Sequence, residues 1–369
     1  MLLTGVILSL VTAAAWPSAA WAQAQSGEPG ASDAAEAPAE RPPEARSGSG
    51  SAEGSAGLGV DPSDHALDEV GLSRELWPED LARGDESLGP LVLGLVIAGA
   101  VLALVLLFAF DVIRPGSFAR AGPRDVSSHG IFIWLFAAFV TIFSGAVGAE
   151  FARGIPALTG PHAESLRSIA VVGMGFTLFG GKAAIGMATL LRGPKGTDGA
   201  GKAGLRITVL DPVYAAIAAL LAAPILLATS LLGPMVYRAL RDGPPDQFAH
   251  QTLYAIVEGW GTTWGWLVLV GPVIGAPIVE ELAFRGFLQS AVLRLVGKAW
   301  VGIVLVSIVF TAFHIPVIKG QWHALATLFV LSVILGISFE RTKRIGVPIL
   351  LHALFNLGNV LLAVRTGLG

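Results

Sequence analysis

Eight apolar stretches follow one another through the C-terminal three-quarters of the chain, each near the ~20 residues that a helix needs to cross a bilayer core. Their approximate limits are 90–113, 130–149, 167–190, 212–233, 263–283, 299–315, 323–340 and 346–365. The expected fold is therefore all-α: a polytopic membrane protein with about eight transmembrane helices, preceded by a disordered N-terminal tail. Composition agrees, with 53% hydrophobic residues, only 14% charged ones and a mean hydropathy of +0.69. The fifth span continues as an amphipathic helix to about Val296, and Pro272 and Pro277 are expected to kink it. The absence of cysteine excludes disulfides, thiolate nucleophiles and cysteine-based metal sites on this chain.

Ahead of the spans, residues 1–22 have an apolar run, Leu2 to Trp16, then Pro17 and the small-residue ending Ala20-Trp21-Ala22. This pattern predicts a signal peptide with an A-x-A cleavage site. Residues 23–88 are rich in Ala, Gly, Ser, Pro and Glu, with 15 acidic and 4 basic side chains, and read as a disordered acidic tail. Residues 89–209 then carry additional N-terminal transmembrane helices, and residues 210–369 the core that bears the polar motifs described below. Between the fourth and fifth spans, Asp246 is placed to cap a short helix lying on the outer surface, with His250 solvated.

Loop charges set the orientation. Arg114, Arg120 and Arg124 follow the first span; Arg192, Lys195, Lys202 and Arg206 the third; Arg294 and Lys298 the fifth; Arg341, Lys343 and Arg344 the seventh. The intervening loops carry fewer: Arg153 and Arg167, then Arg238 and Arg241, then Lys319. The positive-inside rule places the first set in the cytoplasm and the N-terminal tail outside it. A cleaved signal peptide requires the same arrangement, and together they suggest a multi-pass protein of a bacterial plasma membrane.

Charge inside the spans points to function, because a charged group in hydrocarbon costs at least ~2.5–3.5 kcal/mol on insertion scales. Glu280 and Glu281 sit side by side in the fifth span, with Arg285 four residues beyond Glu281. At about 100° per residue, Glu281 and Arg285 share a helix face and can form an ion pair. Glu280 is rotated away and left for proton chemistry. His314 ends a Phe310-x-x-x-His314 motif late in the sixth span. Glu280 lies 17 residues before Gly297, the expected hairpin turn, and His314 lies 17 after it, so the two reach similar depth in an antiparallel pair. His352 and Asn356 share a face of the last span, where two hydrogen-bonding side chains either glue helices together or donate to an oxyanion. Straight helices, however, place His352 roughly 12 Å from the cytoplasmic end and His314 about twice as deep.

In combination, Glu280-Glu281-x-x-x-Arg285, Phe310-x-x-x-His314 and His352-x-x-x-Asn356 resemble the three ordered motifs of the CPBP family, the type II CAAX prenyl endopeptidase-like (ABI) intramembrane proteases. The resemblance covers roughly residues 210–369. It implies a glutamic intramembrane endopeptidase in which Glu280 and His314 activate water and His352 and Asn356 form the oxyanion hole. Glu281 and Arg285 would support Glu280, with Phe310 as part of the site's framework. It implies a peptide or membrane-protein tail as substrate, the lipid bilayer as surroundings and no nucleic acid. No cofactor or metal is expected. A zinc site built from the two carboxylates and two histidines is the lesser alternative, since asparagine is a poor zinc ligand and Arg285 opposes a cation. Other protease classes fit poorly: there is no H-E-x-x-H helix, and Ser144-Gly145 reads as small residues packing helices. Non-enzyme alternatives are a membrane interaction or immunity protein on the same scaffold, and a transporter using Glu280 and Glu281 as a proton relay.

The charge pattern yields a direct test, made clean by the cysteine-free parent. Cysteine introduced at Ser49 should react with an impermeant maleimide in spheroplasts, and cysteine at Arg206 only after permeabilisation. The reverse pattern would invert the topology.

Overall fold

The computed structural model describes residues 88–159, 165–191, 203–240, 251–318 and 321–367. The expected signal peptide, the acidic tail up to residue 87, Asp246, His250 and the loop charges Arg192, Lys195, Lys202, Arg241 and Lys319 lie outside the described residues. Within them there is no strand, and eight helices are long and apolar enough to cross a membrane. They are α1 (Leu88–Ala109), α2 (Ile131–Arg153), α3 (Ser165–Leu190), α4 (Asp211–Leu240), α5 (Thr263–Val296), α6 (Ala299–His314), α7 (His323–Thr342) and α8 (Gly346–Gly367). The protein is a multi-pass, all-α membrane protein. Large apolar side chains such as Leu95, Phe132 and Leu220 face outward, as a lipid-bathed surface requires.

Hydrophobicity cannot hold such helices together, because lipid tails are as apolar as leucine; close packing and interhelical polar contacts do so instead. Helices α2 and α3 form the tightest pair. A Cβ added to Gly148 would lie 2.3 Å from the Gly175 carbonyl oxygen, and one added to Gly145 would meet the Phe176 ring at 2.7 Å. Gly145 thus packs helices, as expected. Helix α3 in turn lies along α5: the space beside Gly275 is filled by Thr177, and the space beside Gly180 by Val279.

Helix α1 ends at Ala109, short of the expected residue 113, because the chain turns through Asp111 in the left-handed region (φ +61°), a conformation aspartate tolerates. Arg120 donates to the Asp111 carboxylate and holds it below its ordinary pKa. Arg341 donates to the carbonyls of Asp111 and Val112 and to Ser117. Arg344 reaches Thr208 and Asp211, and the Ile345 N–H bonds the Gly204 carbonyl. The loops after α1, before α4 and after α7 therefore meet at one end of the bundle, as the shared basic character of these loops predicts.

Arg124 behaves differently from the loop charge expected of it. Its side chain is fully buried, paired with Glu340 at 2.8 Å and seated over the Phe339 ring at 4.0 Å. Gly297, at φ +69°, closes α5 and turns the chain into α6, which confirms the expected hairpin.

Helix α5 is not one regular helix. It is α-helical to Val270, π-helical over Gly271–Gly275, α-helical over Ala276–Glu281, π-helical over Leu282–Leu288 and α-helical again to Val296. The first irregularity falls on Pro272, as expected of a residue without an N–H. The second has no proline within it.

The α2–α3 contact is testable. Gly148→Ala should lower the thermal midpoint in detergent by several degrees, since the added methyl would meet the Gly175 carbonyl and the base of the Phe179 side chain. Gly181→Ala, which meets nothing within 4 Å, is the neutral control. Equal midpoints for the two variants would show that this packing is not tight in solution.

Candidate active site

The site begins with the i, i+4 pair that the sequence proposes. Arg285 Nη1 donates to Glu281 Oε1 at 2.9 Å, and both side chains are fully buried. The same Oε1 accepts from His352 Nδ1 at 2.8 Å. One carboxylate oxygen thus ties α5 to α8. Because Nδ1 carries its hydrogen toward Glu281, Nε2 is the nitrogen of His352 left to react. It is a base when the ring is neutral and a donor only when the ring is protonated.

The rest of the Arg285 guanidinium is also enclosed. Nη2 donates to the hydroxyl and the carbonyl of Ser332 on α7, at 2.8 and 3.3 Å. Its flat face lies 4.5 Å from the centroid of Phe310, a fully buried ring of α6. The cation is therefore met by a carboxylate, a hydroxyl and an aromatic face, which are the partners a buried guanidinium needs.

Phe310 also settles the depth problem set by straight helices. The His314 ring stands 4.6 Å from its centroid and the His352 ring 5.9 Å. Both histidines flank one phenylalanine. Helix α6 has 16 residues, about 24 Å at 1.5 Å per residue, shorter than the bilayer core. It stops at His314 because Pro316 follows within two residues and cannot continue it. That length keeps His314 at its expected depth, so what brings it near His352 is the packing of both rings against Phe310. His314 Nδ1 donates to the Phe310 carbonyl at 2.8 Å, because a carbonyl only accepts, so Nε2 faces outward as the free base.

Glu280 and His314 are half-buried, whereas Glu281, Arg285, Phe310 and His352 are buried. Glu280 Oε2 is inaccessible and has no hydrogen-bond partner. No hydrogen bond joins Glu280 to His314 among the described residues, so the two are not a bonded pair. The described residues also contain no group of three or more histidine, aspartate or glutamate side chains arranged to share a metal ion.

Asn356 has a partner with a clear cause. In the π-helical turn, the Ala276 N–H reaches back five residues to the Gly271 carbonyl. The next bond of that register would run from residue 277 to the Pro272 carbonyl, but Pro277 has no N–H. Asn356 Nδ2 donates to that orphaned carbonyl at 2.7 Å. One of its two amide hydrogens is thereby used, and the second remains available.

The structure brings all seven expected site residues together, from α5, α6 and α8. Sequence reasoning missed Ser332 on α7, which accepts from Arg285 Nη2. Its only signal was a hydroxyl in an apolar span.

Comparisons with known proteins meet this segment. Residues 262–358, from the start of α5 to the middle of α8, match the family model described as Type II CAAX prenyl endopeptidase Rce1-like. That segment is similar to the Rce1-like family. It contains every one of the seven residues above, and it leaves α1–α4 outside the match. Among curated proteins, the chain is similar to UPF0177 protein YbdI of Lactococcus lactis subsp. lactis (strain IL1403), 32% identical over 92 residues. The similar stretch is 25% of this chain and 46% of YbdI, so the chain spans about half the length of that relative. No solved structure matches.

The Asn356 bond can be tested without an activity assay. Asn356→Ala leaves a buried carbonyl unpaired and should cost roughly 1–3 kcal/mol. Adding Pro277→Ala supplies a backbone N–H and should restore most of the loss. No loss in the single variant would remove the bond from the structure's support.

Proposed function

We propose that this chain is an intramembrane endopeptidase that hydrolyses peptide bonds of membrane-associated peptides or protein tails, without a metal. The observation that carries the reading is the separation of roles around Phe310. A half-buried carboxylate, Glu280, and a half-buried imidazole with a free Nε2, His314, accompany a buried framework of Glu281, Arg285, Phe310 and His352. The similarity of the same segment to an endopeptidase family supports it.

In this reading Glu280 and His314 hold a water between them. Glu280 takes one of its protons as the oxygen attacks the scissile carbonyl carbon, giving a tetrahedral oxyanion. The C–N bond then breaks and the proton passes to the leaving amine. Asn356 gives the oxyanion its second amide hydrogen. His352 gives its Nε2–H and acts in this role as an imidazolium, with the Glu281 carboxylate behind it. Glu281 and Arg285 are support: they turn His352 and fix the α5 backbone on which Glu280 stands. A cation seated against Glu281 would have to displace or repel Arg285, which favours metal-free chemistry. The cytoplasmic assignment of the basic loops, the bacterial plasma membrane and the external N-terminal tail belong to the same proposal.

Purified protein in detergent with a fluorogenic peptide tests the mechanism. Glu280→Gln and His314→Ala should fold and show no turnover. Asn356→Ala combined with Pro277→Ala, which keeps the backbone satisfied, should retain turnover reduced by about 10²–10³. Dialysis against a chelator should leave the wild-type rate unchanged. Activity lost on chelation and regained with zinc would replace this mechanism by a metal-dependent one, and full activity in Glu280→Gln would remove Glu280 from catalysis.

A further inference from the structure

A second buried polar group lies directly below the site and is not used by the mechanism. On α5, Gln289 follows Arg285 by four residues, as Arg285 follows Glu281. On α7, Ser332, Gly336 and Glu340 have the same spacing. The two stripes face each other. Arg285 bonds Ser332, and Gln289 Nε2 bonds Glu340 Oε1 at 2.8 Å and, more weakly, the Gly336 carbonyl at 3.4 Å. Glu340 is fixed in turn by Arg124, whose Nη2 and Nε approach its Oε1 at 2.8 and 3.1 Å. Arg124 is anchored by the Ala203 carbonyl at 2.7 Å and the Ser290 hydroxyl at 2.9 Å.

This arrangement determines which way the Gln289 amide points. Its nitrogen must face Glu340, since a carboxylate only accepts, so its oxygen faces the other way. That oxygen is inaccessible and unpaired. So is Arg285 Nε, one turn away on the same helix. One is an acceptor and the other a donor. Arg285 and Gln289 are 0% and 1% exposed, so bulk water reaches neither. A complementary orphan pair on successive turns, with the Ser332 carbonyl nearby, is what a single structural water requires.

We propose that Arg124, Glu340 and Gln289 are positioning residues of the site, acting through a buried water that bridges Gln289 Oε1 and Arg285 Nε. The order is Arg124, Glu340, Gln289, water, Arg285, Glu281 and His352. Ser332 is the direct second hold on Arg285. Arg124 lies outside the Rce1-like segment, between α1 and α2. The N-terminal helices thereby contribute to the geometry of a site whose reacting groups all lie elsewhere. The kinetic consequence rests on the proposed peptidase reading; the water does not.

The test pairs a high-resolution map with kinetics on the full-length protein. In the wild type, density should bridge Arg285 Nε and Gln289 Oε1. Arg124→Met/Glu340→Met removes both charges together, so no lone buried charge remains. In that variant the amide loses its orientation, the bridging density should disappear, and kcat should fall roughly tenfold or more with KM unchanged. If that variant does not fold, Gln289→Leu keeps the Arg124–Glu340 pair and should give the same kcat-only loss. A merely structural role would lower the thermal midpoint and leave the kcat of the folded fraction unchanged; that result overturns the proposal, as does a wild-type map without the bridging density. If the wild type hydrolyses no peptide, the peptidase reading fails and the map alone decides the water.

Discussion

One carboxylate oxygen carries the organisation of this protein. Glu281 Oε1 accepts from Arg285 on its own helix and from His352 on the last one, in a region where neither water nor lipid offers a partner. A buried ion pair of this kind adds little net stability, because desolvation offsets most of the attraction. Losing one partner, however, leaves a charge in hydrocarbon. The pair therefore acts as a constraint: α5 and α8 must meet at this level and in this rotation, or the charges go unmatched. The Phe310 ring over the guanidinium adds α6 to the same constraint, and Ser332 adds α7.

The backbone of α5 is subject to a second accounting. Inside a membrane every carbonyl needs a donor. Pro272 and Pro277 remove two donors five residues apart, and the helix answers with a π-turn that leaves one carbonyl still open. Asn356 closes it from α8. The same two helices are thus joined twice, once through side-chain charge at Glu281 and once through a backbone vacancy at Pro272. The oxyanion donor proposed at Asn356 is also a structural bond, and the two roles are compatible because an amide nitrogen has two hydrogens.

Much of this was legible in the sequence, for physical reasons that can be named. The eight helices follow from span length alone. The Glu281–Arg285 pair follows from helical spacing, and that spacing survives the change to π geometry because it straddles the junction. The hairpin at Gly297 follows from the glycine. What could not be read depends on contacts between distant elements. The straight-helix depth estimate separated His314 from His352, because the packing of both rings against Phe310 is a contact between distant elements. Arg124 looked like a loop charge because its partner, Glu340, lies 216 residues away. The Nδ1 bond of His352, which decides which nitrogen can react, has no signature in a His-x-x-x-Asn pattern. Nothing in the local sequence marks the second π segment, although it holds Arg285.

The burial gradient across the site gives these constraints a direction. Glu281, Arg285, Phe310 and His352 are buried and tied to one another, with Glu281 Oε2 and Arg285 Nε left unpaired, while Glu280, His314 and Asn356 are half-buried and keep an unused atom each: a carboxylate oxygen, an imidazole nitrogen, an amide hydrogen. Half-burial sets Glu280, His314 and Asn356 apart from that framework, and partial exposure is what groups that meet a third molecule require. Their chemical composition narrows what that molecule is. On the proposed reading, a carboxylate, an imidazole and two donors suit a carbonyl compound attacked by water better than an ion passing through, because a transported ion needs a chain of equivalent ligands and has no use for the amide of Asn356 on the opposite helix.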